Sequence, residues 1–129
     1  MSDFQHIASE LQSLERVHSE LATIATRTDE RRRHDLIDLR RQFAQQMAEV
    51  GRLADPLFEA AHDAGLRQTY RNYFSRMRST AAVHQANWPA VRIDESTELY
   101  RRSAQGVTEA HREFIAWMRK ALVQLEGGG

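Results

Sequence analysis

Apolar residues recur at alternating steps of three and four along four long stretches of this chain, the spacing of amphipathic helices that hide one face. The first stripe is Phe4, Ile7, Leu11, Leu14, His18, Leu21 and Ala25, and the second is Leu36, Leu39, Phe43, Met47, Val50 and Leu53. A third joins Leu66, Tyr70, Tyr73, Met77, Ala81 and His84. The last runs through Leu99, Ser103, Val107, Ala110, Phe114, Met118, Ala121 and Leu125, broadened by Trp117 and Leu122. No stretch alternates with period two, and no segment repeats. The pattern predicts an all-α fold, an up-down-up-down antiparallel four-helix bundle. A helical hairpin completed by dimerisation is the other arrangement that would bury these stripes.

Turn and cap residues mark where the helices break. Ser2 and Gln5 have the spacing of a capping box, and Thr28 and Asp29 are expected to cap the second helix. Asp55-Pro56 reads as a fresh N-cap with proline at the first helical position, so a kink and a short extra helix from Leu57 to Ala64 are predicted. Gly65 is the expected left-handed C-cap. Trp88-Pro89 ends the third helix, because the residue before proline is pushed out of the helical region. Asp94 or Ser96 restarts the chain, and Asn87 to Asp94 is its longest irregular piece, a candidate contact surface. Residues 1–126 form one domain by this reading, and 127–129 are a disordered tail. Gly51 and Gly106, alone inside helices, point to close approach of a neighbour.

Composition narrows the chemistry. With no cysteine among 129 residues, disulfides, thiolate catalysis and thiolate metal sites are excluded. No run has the length of a membrane span, the start lacks the basic and apolar regions of a signal peptide, and a cytoplasmic protein is expected. The formal net charge is zero, so no whole-molecule field draws in nucleic acid or an anionic membrane. Charge is uneven all the same: residues 65–92 carry five arginines and no acid. Arg67, Arg71 and Arg78 flank the aromatic stripe of the third helix. With Trp88 they are the candidate partner surface, although arginines so placed commonly lay their stems on the seam and pair with acids on neighbouring helices.

Histidines are the chemically suggestive residues on the buried faces. By helical geometry His18 and His111 fall at similar heights and His84 about a turn further along, so a mid-bundle layer of imidazoles can form. Such a layer could hold a transition metal, a haem or a small ligand, or respond to pH. The plainer alternative is separate core-edge histidines, each bonded to a carbonyl, hydroxyl or water. Glu15/His18 and Glu59/His62 have the Glu-x-x-His spacing of di-iron bundles, but the acid-free third helix cannot complete that set. His34, in Arg31-Arg32-Arg33-His34-Asp35, lies opposite the apolar stripe beside a carboxylate. In size, helical architecture and this exposed histidine the chain resembles a histidine phosphotransfer protein, which would make His34 a phosphoacceptor. No nucleophile elbow, phosphate loop or dinucleotide fingerprint is present.

The function expected from these features is a non-catalytic interaction or regulatory module acting through helix surfaces, with a protein partner, no cofactor and an open question of homodimerisation. A metal- or small-ligand-binding bundle using His18, His84 and His111 is the alternative, and the His34 phosphotransfer protein a third.

Overall fold

The computed structural model describes residues 2–128, and within them the chain is all-helical, with no strand. Four long helices follow one another: α1 (Asp3–Ile24), α2 (Arg32–Ala60), α3 (Ala64–Asn87) and α4 (Thr97–Gly128), with one 3-10 turn at Ala90–Arg92. Helix α1 packs on α2 and α4, and α3 packs on α4 and α2. Each apolar stripe faces this shared interior, where Leu11, Phe43, Met77, Phe114 and Met118 are almost wholly buried. No helix of the described residues is long and apolar enough to cross a membrane.

Several helix ends follow local chemistry as expected. Ser2 and Gln5 form the reciprocal capping box at the start of α1. The Leu99 amide donates to Ser96 Oγ at 3.3 Å, so Ser96 caps the entry to α4. Elsewhere packing overrides the local signal. Helix α2 runs through Pro56 without a separate short helix. The last turn beyond Pro56 buries Phe58, whose ring stacks on Tyr70 at 4.3 Å and on Trp117 at 5.6 Å. Burial of Phe58 and its two ring contacts offset the backbone hydrogen bond that Pro56 forfeits and the crowding of its ring against the preceding turn. Asp55 caps nothing; its carboxylate accepts the Tyr70 hydroxyl.

Gly65 is likewise no C-cap, since no glycine of the described residues has positive φ. It lies in the first turn of α3, where extended Asp63 is the N-cap and accepts the Leu66 amide at 3.0 Å. Thr28 and Asp29 do not cap α2, which starts with no side-chain cap; Asp29 is engaged by the Arg27 guanidinium instead. Leu99 is 54% exposed, and Tyr100 takes the inward place at that level. Helix α4 continues to Gly128, so the tail expected from Gly127 is helical over its first two residues, and Gly129 lies outside the described residues.

The interior is two apolar clusters rather than one. The larger gathers Ile7, Leu11, Phe43, Phe58, Met77 and Phe114; the smaller gathers Ile24, Leu36, Trp88, Ile93 and Tyr100 at the other end. Arg32 clasps that smaller end. Its guanidinium donates to the carbonyls of Arg27 and Ile93 and to the Asp94 carboxylate, tying the α1–α2 turn to the segment before α4. A buried cation with three acceptors from two loops is satisfied.

The two interior glycines differ in their surroundings. A Cβ on Gly51 would sit 3.1 Å from Phe74 Cζ, the close approach expected there, whereas a Cβ on Gly106 would meet nothing within 4 Å. Gly106→Ala should therefore raise unfolding free energy by about 1 kcal/mol in urea titrations, because alanine loses less backbone entropy on entering a helix. Gly51→Ala should gain less, since the Phe74 ring has to give way.

A candidate ligand cavity at the waist of the helices

Between the two apolar clusters lies a polar layer, and its residues come from all four helices. His18 of α1 is 8% exposed and His111 of α4 is 5% exposed. Their rings stack with centroids 4.1 Å apart and planes 12° from parallel. Phe43 of α2 tilts against both, at 6.0 and 6.1 Å. Thr108, one turn before His111, donates its hydroxyl proton to the Ala104 carbonyl at 3.2 Å and meets His18 Nε2 at 3.4 Å. Which of the two donates in that second contact depends on the His18 tautomer. His111 Nε2 is buried with no hydrogen-bond partner among the described residues.

His84 of α3 stands apart from this stack. Its Nδ1 is hydrogen-bonded to Ser103 Oγ at 2.6 Å and its ring lies 5.5 Å from that of Tyr100. His18 and His84 nevertheless line one cavity of about 40 Å³, with Arg40, Gln85, Tyr100 and Thr108 as its other polar residues. Leu36, Phe43 and Val107 close it on the apolar side. The volume holds about three waters or a solute of similar size. It is far below the ~300 Å³ at which pockets for drug-sized ligands begin, so a haem does not fit.

Arg40 is the unexpected member. Helix α2 carries it between Leu36 and Phe43 at helical steps of four and three, which aims the side chain inward. Its Nη2 is buried and meets no acceptor among the described residues. No carboxylate lines the cavity. Burial pulls the guanidinium below its ordinary pKa, the direction of a charge held away from water without a partner. Arg40 was not legible in the sequence, because Leu39 keeps the α2 stripe unbroken and an arginine beside a stripe reads as an ordinary flanking residue.

Charge and burial keep the imidazoles neutral. His84 is pushed down to about 4, first by burial and then by the Arg40 cation. His111 is pushed down to about 3 by burial and by neighbouring His18. His18 is lowered by burial and by Arg112. The Tyr100 hydroxyl moves up through burial, with Arg40 and Arg32 opposing, and so stays protonated at neutral pH. The lining is thus rich in donors and short of negative charge.

Other expected site residues lie elsewhere. No group of three or more histidine, aspartate or glutamate side chains among the described residues is arranged to hold a metal ion. Glu15 and Glu59 of the Glu-x-x-His pairs are engaged by Arg119 and Arg71. His34 is exposed in the first turn of α2, and the neighbouring Asp35 carboxylate pairs with Arg27 at 2.8 Å. Of the candidate partner surface, Arg71 pairs with Glu59, Arg78 lies 5.5 Å over the Phe74 ring, and Arg67 is half-buried on α3. Trp88, expected on a contact surface, is instead buried at 9% exposure against Tyr100, because the Pro89 turn folds it into the smaller cluster.

No family model, curated protein or solved structure matches the chain.

Acid should loosen this layer. An imidazole held neutral in the fold but titrating near 6.5 when unfolded leaves stability intact above pH 6.5 and erodes it as pH falls toward the folded value. At pH 5 the His111 contribution is about 2 kcal/mol, and His18 and His84 act in the same direction. Urea titrations at pH 7.5 and pH 5 should show wild type losing about 2 kcal/mol more than His111→Leu over that interval. Equal losses would contradict a buried neutral His111.

Proposed function

We propose that the chain is a cytoplasmic, non-catalytic, up-down-up-down antiparallel four-helix bundle that binds a small ligand in the waist cavity. Occupancy would be passed to a protein partner through the helix surfaces. The observation that carries this reading is the cavity itself, polar on one side, set where the core divides, and reached by a side chain from every helix. A plain structural core would fill that layer with apolar groups at native density. The antiparallel order is supported by the sense of the cross-helix contacts. Glu10 meets Gln46 while Arg27 meets Asp35, and Arg76 meets Glu113 while His84 meets Ser103. Glu15 meets Arg119 while Ala25 meets Arg101, and Asp55 meets Tyr70 while Gly51 meets Phe74. In each pair one number rises as the other falls.

A thermal-unfolding screen tests the binding reading directly. Acetate, acetamide, imidazole and phosphate, at matched ionic strength, serve as probes. A ligand that binds only the folded state at one hundred times its Kd adds about 2.7 kcal/mol, a rise of several degrees. At least one probe should raise the midpoint of wild type and fail to do so in Ala104→Leu, which fills the cavity. No response to any probe, together with a stabilised Ala104→Leu, would reduce the cavity to a packing defect.

A second reading draws on the exposure of His34, which leaves its ring reachable by a phosphorylated aspartate of another protein. Incubation with a phosphorylated response regulator should then label the chain, and His34→Gln should lose that label entirely.

A further inference from the structure

The molecule holds two inward-facing arginines of opposite kinds. Arg32 is saturated by two carbonyls and a carboxylate. Arg40 faces a small cavity with its Nη2 unpartnered. A guanidinium carries five donors and no acceptor, and it cannot shed its charge to escape burial. Leaving such a group unpaired is among the costlier arrangements in a protein interior. What Arg40 lacks is an anion. The donor-rich lining, with protonated Tyr100, Gln85 and the histidines beside it, offers further hydrogen bonds to one.

We propose that the waist cavity is a carboxylate site, with Arg40 as the anchor that grips the two oxygens of a small organic acid. The inference rests on the ligand-binding reading above and names the chemical class of the ligand. Three features select a carboxylate over other anions. The guanidinium fork matches two coplanar oxygens in a bidentate pair. The volume of about 40 Å³ suits about four heavy atoms, the size of acetate or of the acid end of a longer molecule. Finally, Arg40, His84, Gln85 and Thr108 all lie inside helices, whose amides are already bonded along the axis. Tyr100 lies in the first turn of α4, but its amide is already donated to the Ser96 carbonyl at 3.0 Å, so it offers no free backbone N–H of the kind phosphate sites commonly use.

The groups facing a bound carboxylate are His18 from α1, Arg40 from α2, His84 and Gln85 from α3, and Tyr100 and Thr108 from α4. Arg40 is one of the two causes that hold His84 down. An anion on Arg40 offsets that repulsion, so carboxylate binding should raise the His84 pKa. By linkage the carboxylate should then bind more tightly as pH falls from 7 toward 5.

The decisive experiment titrates wild type, Arg40→Met and Arg40→Lys with sodium acetate, acetamide and phosphate, following calorimetric heats and the His84 ring signals by NMR. Acetate should bind wild type with an upward shift of the His84 pKa, and acetamide, its uncharged isostere, should not. Arg40→Met should abolish the acetate response. Arg40→Lys, which keeps the charge and loses the fork, should weaken it by about tenfold, and it stands as the test if the methionine variant does not fold. Acetate binding unchanged in both variants would overturn the proposal. Preferential binding of phosphate, or of acetamide, would overturn the carboxylate class and leave the ligand-binding reading standing. Silence from every probe, with Arg40→Met more stable than wild type, would mean that water alone solvates Arg40, and both readings would fall.

Discussion

A permanent positive charge set among helices, with no acid to meet it, is the constraint around which the rest of this structure is arranged. Arg40 cannot titrate away its charge as a lysine can. Its presence forces the surrounding layer to be polar, and that polar layer is why the core falls into two apolar clusters instead of one. The stacked His18 and His111 rings fill the α1–α4 side of the layer as flat, weakly polar plates. His84 and Ser103 satisfy each other on the α3–α4 side. Each pairing lets a polar group sit at depth without an ion.

The two ends of the molecule are held differently as a result. The larger cluster relies on aromatic packing: Phe58, Tyr70, Tyr73, Phe74, Phe114 and Trp117 form a chain of contacts with centroids 4.3 to 5.8 Å apart. Such pairs contribute beyond their buried area, and they explain why α2 persists through Pro56 to deliver Phe58. The smaller cluster has fewer large side chains and leans on the Arg32 clasp, which joins two loops that would otherwise be tethered only through their helices. Tyr100 belongs to this smaller cluster and also lines the cavity. Any solute in the cavity therefore touches the end of the molecule with the thinner apolar core.

Periodicity carried most of the architecture. Stripes at steps of three and four placed all four helices, and wheel geometry brought His18 and His111 to one height, where they do stack. Punctuation was less legible, for a physical reason. A glycine or an aspartate states a local preference worth about 1 kcal/mol and an interior proline about 3 kcal/mol, and packing of large side chains can outweigh either. Pro56 yielded in this way, whereas Gly65 falls inside the turn capped by Asp63 and Asp29 is taken by the Arg27 guanidinium. Leu99 misled differently: the stripe passes through its neighbour Tyr100, and both spacings fit a helical face. Wheel geometry allows a layer of two or three imidazoles with His84 about a turn further along; His18 and His111 stack, and His84 is bonded to Ser103 instead. What His18 and His84 share is a cavity, and a cavity depends on the volumes of facing side chains, which a single sequence does not display.

Arg40 shows how an inward charge can be told from a flanking one. Arg71 and Arg76 of α3 reach outward to Glu59 and Glu113, and surface pairs of that kind contribute little and specify little. Arg40 has the opposite profile: a half-buried guanidinium beside the α2 stripe, whose buried Nη2 meets no acceptor among the described residues. Replacing buried ionic groups with hydrophobic ones is often neutral or stabilising. The rest of this chain obeys the rules of a packed helical protein, with capping box, aromatic seam and satisfied Arg32 all agreeing. A sequence consistent at every other level concentrates its violations where function is located. Arg40 Nη2 lines the waist cavity, and the partnerless His111 Nε2 belongs to a ring stacked on His18, which lines that cavity too. An unpartnered guanidinium nitrogen at a cavity lined by polar side chains from all four helices, with no carboxylate among them, is a stronger pointer than the cavity alone.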